Sequence, residues 1–247
     1  MNIFKELFGR LWIVWAAILF TSTMMIFFIP FLLLCYFRPE PQKTNRFVLY
    51  SRVWMNIFLT LIGCPLKIKG RENFAAGQTY IVLCNHNTII DVPASSTGIP
   101  GGNKTIAKIE MAKIPLFGLL YKTGSVLVDR KSEASRRESL GKMKEVLSLG
   151  LHMCIYPEGT RNKTNQPLKF FHDGGFKLAI DTKKSIIPGV IFNTKKVLPP
   201  DKTFFLWPHS IAVHFLEPFV IQPSDTVEEL KKKVFETMKN YYAANQK

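Results

Sequence analysis

From Leu11 to Phe37 the chain runs for 27 residues without a charged side chain, bounded by Arg10 and Arg38. As a single helix this segment is about 40 Å long, more than the roughly 30 Å of a bilayer's hydrocarbon core. Pro30 is the expected break, because proline removes an intrahelical hydrogen bond and its ring clashes with the preceding turn. The 19 residues before it are enough to span. A cleaved leader would have a shorter apolar region ending at a small-residue site, and no such site follows. A second apolar stretch, Val53 to Leu66, has 14 residues, the length of an interfacial or re-entrant helix. Residues 1–66 are therefore expected to form a two-helix membrane anchor, spanning or dipping into one leaflet. Arg38, Lys43, Arg46 and Arg52 follow the first segment with only Glu40 opposing them, while Lys5 and Arg10 precede it with Glu6. The positive-inside bias places residues 67–247 on the cytoplasmic side of the cell membrane.

Beyond residue 67 short apolar runs alternate with helical patterns. The runs are Tyr80 to Cys84, Ser125 to Val128, Met153 to Tyr156, Ile186 to Phe192 and Ile211 to Phe215. This predicts an α/β fold with a mixed, mostly parallel sheet flanked by helices. Ser132 to Leu149 reads as an amphipathic helix with a capping box at Ser135 and Glu138; a final helix is capped by Thr226 and Glu229 and carries Val227, Leu230, Val234, Met238 and Tyr241 at helical spacing. An apolar content of 47% and a charged content of 21% exclude a disordered chain. With 33 Lys and Arg against 18 Asp and Glu, the net charge of +15 must face phosphorylated metabolites, anionic lipid, an acidic protein or nucleic acid. Lys231 to Lys233 reads as a solvated face. Cys35, Cys64, Cys84 and Cys154 show neither disulfide nor metal-ligand spacing and sit in apolar runs, where a thiol behaves as a small hydrophobe.

The first three runs end in polar clusters: Asn85 to Asp91, Asp129-Arg130, and Pro157 to Arg161. In an open α/β sheet, ligands bind beyond the carboxyl ends of the strands, so the three clusters are expected to share one crevice. His86 and Asp91 are five apart, a spacing that lets a carboxylate hold one imidazole nitrogen and leave the other to take a proton. The same pair also suits a turn that caps a strand. No serine or cysteine stands in a G-x-S-x-G elbow, so such a base would activate a substrate hydroxyl directly. Arg130 and Arg161 offer forked donors to a phosphate or a surface ion pair. Gly159 permits an oxyanion-binding amide or a plain tight turn. His214 is expected in the core, and His152, His172 and His209 at surface or turn positions.

The stretch from Asn85 to Asp91 resembles the H-x4-D block of the glycerolipid acyltransferases. Gly124 to Arg130 is similar to their second block, Tyr156 to Arg161 to their third and Ile187 to Val190, loosely, to their fourth, in matching order. The likeness covers residues 66 to 220 together with the anchor. It implies acyl transfer from a thioester to the sn-2 hydroxyl of 1-acyl-sn-glycerol 3-phosphate (lysophosphatidate), giving phosphatidic acid. His86 would be the base and Asp91 its orienter; Arg130 and Arg161 would hold the acceptor's phosphate, with Lys104 or Lys108 as a third cation. Glu158 and Thr160 would shape the acceptor site, and the Gly159 amide would meet the developing oxyanion. The resemblance calls for no metal or bound cofactor; the co-substrate would be acyl-coenzyme A or an acyl carrier protein thioester, and the partner surface an anionic leaflet. Tyr156, where the family often has Phe, and Gly189, which loosens the fourth block, are departures that bear on acyl-chain preference. The same chemistry on glycerol 3-phosphate, another lysolipid or an amino-lipid is the neighbouring possibility. A membrane-tethered protein binding anionic lipid or nucleic acid is the remote one, although no nucleic-acid motif is present.

Overall fold

The computed structural model describes residues 3–129 and 131–246. Helix α1 (Ile3–Phe31) runs through Pro30 and breaks just after it, into a π-helical turn at Leu32–Tyr36. Helix α2 (Gln42–Leu61) returns antiparallel to it. There follow β1 (Leu66–Lys69), β2 (Ile81–Cys84), α3 (Asp91–Gly98), β3 (Asn103–Lys108), α4 (Phe117–Thr123), β4 (Ser125–Val128), α5 (Glu133–Ser148), β5 (His152–Ile155), α6 (Gly174–Thr182), β6 (Ile186–Phe192), α7 (Thr194–Val197), β7 (Ile211–Phe215) and α8 (Val227–Asn245). The strands form one sheet in the order β1-β7-β6-β2-β5-β3-β4, parallel except where β7 meets β6. The expected mixed, mostly parallel α/β sheet is what the chain builds.

Helices cover both faces. One core cluster joins Val82, Cys84, Ile187 and Val213 of the sheet to Phe31, Trp54 and Leu59 of the first two helices. The other joins Ile81, Leu83, Met153 and Val190 to α5, α6 and α8 through Met143, Phe176 and Val234. Alternate residues of β2 thus enter opposite cores, which is why its whole sequence, Ile-Val-Leu-Cys, is buried.

Among the described residues only the helix over Ile3–Tyr36 is long and apolar enough to cross a membrane. The two expected helices both form, and of the two α1 alone has the length and apolarity to cross a bilayer. Helix α2 carries Lys43, Arg46 and Arg52, and Arg52 donates to the carbonyls of Thr97 (2.9 Å) and Ile99 (3.0 Å) at the end of α3. Those contacts bind α2 to the sheet-bearing body. Helix α1 also lies along the body: small residues Gly9, Ala16 and Thr23 recur at seven-residue intervals on its buried side. A Cβ at Gly9 would come within 2.1 Å of the Phe205 ring. The opposite side exposes Ile3, Leu7, Leu11, Ile18, Met25 and Ile29, and α2 adds Leu49, Val53, Ile57 and Leu61 at four-residue spacing. The boundary expected at residue 66 falls on the first residue of β1.

Ser132, not Ser135, caps α5, its hydroxyl accepting the Ser135 N–H at 3.2 Å. Thr226 caps α8 as expected, accepting the Glu229 N–H. His152 is another correction: it is buried within β5, its ring stacked on Tyr80 and its Nδ1 accepting the Tyr80 N–H at 3.1 Å. Burial pushes its pKa down to about 4, against a hydrogen bond with the Pro100 carbonyl. His214 is only half-buried, with Nδ1 3.1 Å from the Tyr241 hydroxyl. All four cysteines are buried and unbridged.

Candidate active site

The chain leaves β2 toward β3 on one side of the sheet and leaves β5 toward β6 on the other, so the direction of winding reverses between the neighbours β2 and β5. That is where an open α/β sheet leaves its crevice. Asn85, directly after β2, extends the ladder with its side chain: its Nδ2 donates to Ile191 O (3.0 Å) and its Oδ1 accepts the Ile191 N–H (2.6 Å). The next residue, His86, is held by its backbone on both sides. Its N–H donates to Glu158 Oε1 at 2.9 Å, and its carbonyl accepts the Asn162 N–H at 2.6 Å.

His86 Nδ1 lies 2.9 Å from Asp91 Oδ2. Asp91, the first residue of α3, is fully buried; the same oxygen accepts the backbone N–H of Asn87 and, at 2.7 Å, that of Thr88. Two backbone N–H groups already donate to that oxygen, so it meets Nδ1 as an acceptor, and in the tautomer this selects the hydrogen is on Nδ1 and the lone pair on Nε2. The His86 side chain is 15% exposed, enough for Nε2 to meet a substrate. The imidazole rests on the ring of Tyr156, with centroids 4.4 Å apart and planes 27° apart. The Tyr156 hydroxyl is hydrogen-bonded at 2.7 Å to Ser95 Oγ, one helical turn beyond Asp91 on α3. Burial, then the neighbouring Cys154, Cys84 and Asp91, pushes that hydroxyl well above its ordinary range, so it stays neutral.

Glu158 is 1% exposed, and its second oxygen accepts the Lys169 N–H at 3.0 Å. Burial raises its pKa to about 7, against the lowering effect of the His86 and Lys169 amides. Gly159 adopts φ +68°, where a Cβ would sit 2.8 Å from the His172 ring. Its N–H donates to Tyr156 O at 3.0 Å, so the amide expected to meet an oxyanion already closes the turn. Thr160 Oγ1 accepts from Lys169 Nζ at 2.8 Å. Arg161 is exposed, with no ion pair among the described residues.

The other expected cations are more scattered. Lys108 ends β3, exposed and paired with Glu110 at 3.1 Å. Lys104, near the opposite end of β3, pairs with Glu40 at 2.8 Å, away from the crevice. Arg130 lies outside the described residues. Its neighbour Asp129 follows β4, the edge strand, with β3 and β5 between it and β2; at about 4.8 Å per strand that is about 14 Å. The structure thus brings the first and third clusters together and sets Asp129 of the second at the edge. Asn85 enters the sequence reading only as the first residue of a polar cluster, and Asn162 and Ser95 not at all, because neither a loop asparagine nor a helical serine has a pattern that distinguishes a clasp from a turn or a solvated hydroxyl.

At the switch point a fully buried carboxylate grips one nitrogen of a partly exposed histidine, an arrangement able to accept a proton at the other nitrogen. Residues 65–192, more than half the chain, match the family model described as Acyltransferase, and the chain belongs to that family. A 1-acyl-sn-glycerol-3-phosphate acyltransferase of Cocos nucifera is 32% identical over 183 residues, covering 73% of this chain and 58% of that protein. Its counterpart in Helicobacter pylori is 29% identical over 208 residues, covering 83% and 86%. The chain spans 58% to 63% of the length of several curated relatives it matches. The crystal structure of the 1-acyl-sn-glycerophosphate (LPA) acyltransferase, PlsC, from Thermotoga maritima superimposes with a TM-score of 0.81 over 97% of both chains at 20% identity, a likeness of fold.

Proposed function

We propose that this chain acylates the sn-2 hydroxyl of 1-acyl-sn-glycerol 3-phosphate, using an acyl thioester and forming phosphatidic acid. The observation that carries the reading is the 2.9 Å contact of His86 Nδ1 with the buried Asp91 carboxylate, which leaves Nε2 as a base. As the hydroxyl oxygen bonds to the thioester carbonyl carbon, its proton passes to Nε2. Collapse of the tetrahedral intermediate breaks the C–S bond, and the departing thiolate takes that proton. The Asp91 carboxylate stabilises the imidazolium between the two transfers.

In this reading Arg161, Lys108 and Arg130 hold the acceptor's phosphate. Lys104, engaged with Glu40 at the far end of its strand, is left out, as is the Gly159 amide. Glu158 acts through the loop: it fixes the His86 backbone. No metal or bound cofactor takes part, and the thioester is carried by coenzyme A or an acyl carrier protein. The apolar outer side of α1 would hold the crevice at the headgroup level of a membrane, with residues 67–247 facing the cytoplasm. The names of the relatives support the acceptor. Purified protein in detergent, given lysophosphatidate and acyl-coenzyme A, should release thiol and form phosphatidate in equal amounts. Thiol release without phosphatidate, or faster transfer to glycerol 3-phosphate, another lysolipid or an amino-lipid, would displace this assignment.

A further inference from the structure

A cavity of about 570 Å³ opens beside the catalytic loop, lined by Lys163, Thr164, Gln166, Lys195, Asp201 and Tyr242 among others. Both of its walls grow from segments that hold His86. Asn162, whose N–H binds the His86 carbonyl, also donates through Nδ2 to Gln166 O (2.9 Å) and accepts the Thr164 N–H (3.0 Å) and hydroxyl (2.7 Å) on Oδ1. The facing wall is α7, which follows directly on β6, the strand clasped by Asn85. From it Lys195 reaches across to donate to Thr164 O at 2.8 Å. Tyr242 comes from α8, while Pro199, Pro200 and Asp201 on the far rim lead into Lys202, which pairs with Glu6 of α1, so the cavity opens with α8 on one side and the segment against the start of α1 on the other.

Among the described lining residues Lys163 and Lys195 stand with Asp201, and Lys195 also lies in the field of the Glu158 and Asp91 carboxylates; Lys163 is exposed with no ion pair among the described residues. The volume suits a small polar ligand. Its lining, with two lysines, a threonine, an asparagine, two glutamines and an aspartate, suits a water-soluble reactant better than an acyl chain. A soluble acyl donor of either kind carries its thioester at one end of a pantetheine arm and a phosphate at the other. With the thioester at His86, that phosphate must sit at a rim some distance away.

We propose that this cavity receives the phosphate of a phosphopantetheine acyl carrier, with Lys163 and Lys195 as its cations; the inference rests on the acyl-transfer reading above. Calorimetry on the full chain in detergent, comparing 4′-phosphopantetheine with pantetheine, tests it without turnover. The phosphorylated form should bind about tenfold more tightly, and Lys163→Glu should remove that preference while the melting temperature holds. In turnover, Lys163→Glu should raise the Michaelis constant for acyl-coenzyme A at least about fivefold and leave that for lysophosphatidate within twofold, and the penalty should vanish with acyl-pantetheine. Lys195→Gln should act in the same direction and Lys195→Arg should restore binding. Acyl-coenzyme A and acyl carrier protein, run as separate donors, identify which carrier supplies the phosphate. Equal binding of the two pantetheines, or an unchanged donor constant in both variants, would overturn the site even in an active acyltransferase. Phosphate-dependent binding in a protein that acylates no lysolipid would instead refute the reading and leave the site standing.

Discussion

The ring of Tyr156 lies against the imidazole of His86, with centroids 4.4 Å apart, and is tied by its hydroxyl to Ser95, 2.7 Å away. Helix α3 therefore holds the histidine twice, through Asp91 at one ring nitrogen and, a turn later, through Ser95 and the aromatic platform. An aromatic pair contributes about 0.5–1.5 kcal/mol beyond its buried area. Tyr156→Phe keeps the platform and should retain most of kcat; Tyr156→Leu removes it and should lower kcat roughly threefold to tenfold with little change in either Michaelis constant. Steady-state kinetics of both variants separate the two outcomes, and equal loss in both would assign the effect to the hydroxyl instead.

His86→Ala should leave the protein folded and micelle-bound but cut acyl transfer by at least about a hundredfold, the usual contribution of a general base. Near-normal turnover in that variant would remove His86 from the mechanism. Asp91→Ala should lose both activity and stability, because it leaves two buried backbone N–H groups without an acceptor at about 1–3 kcal/mol each.

Arg161→Ala should raise the Michaelis constant for lysophosphatidate severalfold and leave that for the acyl donor unchanged, because a removed phosphate contact acts on acceptor binding. A change confined to the donor constant would argue against a phosphate role for Arg161.

Glu158 makes stability depend on pH. Its carboxyl is raised from 4.5 to about 7 by burial, so between those values the folded protein binds more protons than the unfolded chain. Its contribution is complete below about pH 4.5 and is lost as the pH rises through 7, by up to about 3 kcal/mol. Thermal melts of Glu158→Gln should lack this decline, and a wild-type minus variant difference that is flat between pH 5 and 8 would contradict it.

His152 works in the opposite sense. Burial lowers it from 6.5 to about 4, so the unfolded chain binds the extra proton between those values and stability falls as the pH drops through that window. The two slopes oppose each other over much of pH 4.5–6.5. Glu158→Gln should therefore uncover an acid destabilisation that the parent partly masks, read as a melting temperature that falls more steeply toward pH 4.

Strands β4, β6 and β7 were legible to the residue, because their apolar runs are bounded by turns and covered on both sides or alternately. Strands β1 and β3 were not. Leu66–Lys69 alternates with lysine on the sheet's edge, and Asn103–Lys108 buries Asn103, Thr105 and Ala107, polar or small residues that carry no apolar signal. His152 was misplaced because a buried histidine has no mark of its own in one sequence; the amide of Tyr80, 72 residues away, is what holds it.

Local chemistry is enough to set the periodicity of the strands, the caps of the last helix and the five-residue reach from His86 to Asp91, since each depends on neighbours along the chain. The pairing of β2 with β5 is different in kind. It alone brings Glu158 and Asn162 onto the His86 backbone and slides Tyr156 beneath the imidazole. Such contacts join residues many tens of positions apart. They arise when burial of both sheet faces selects one strand order from many that the same apolar runs would allow.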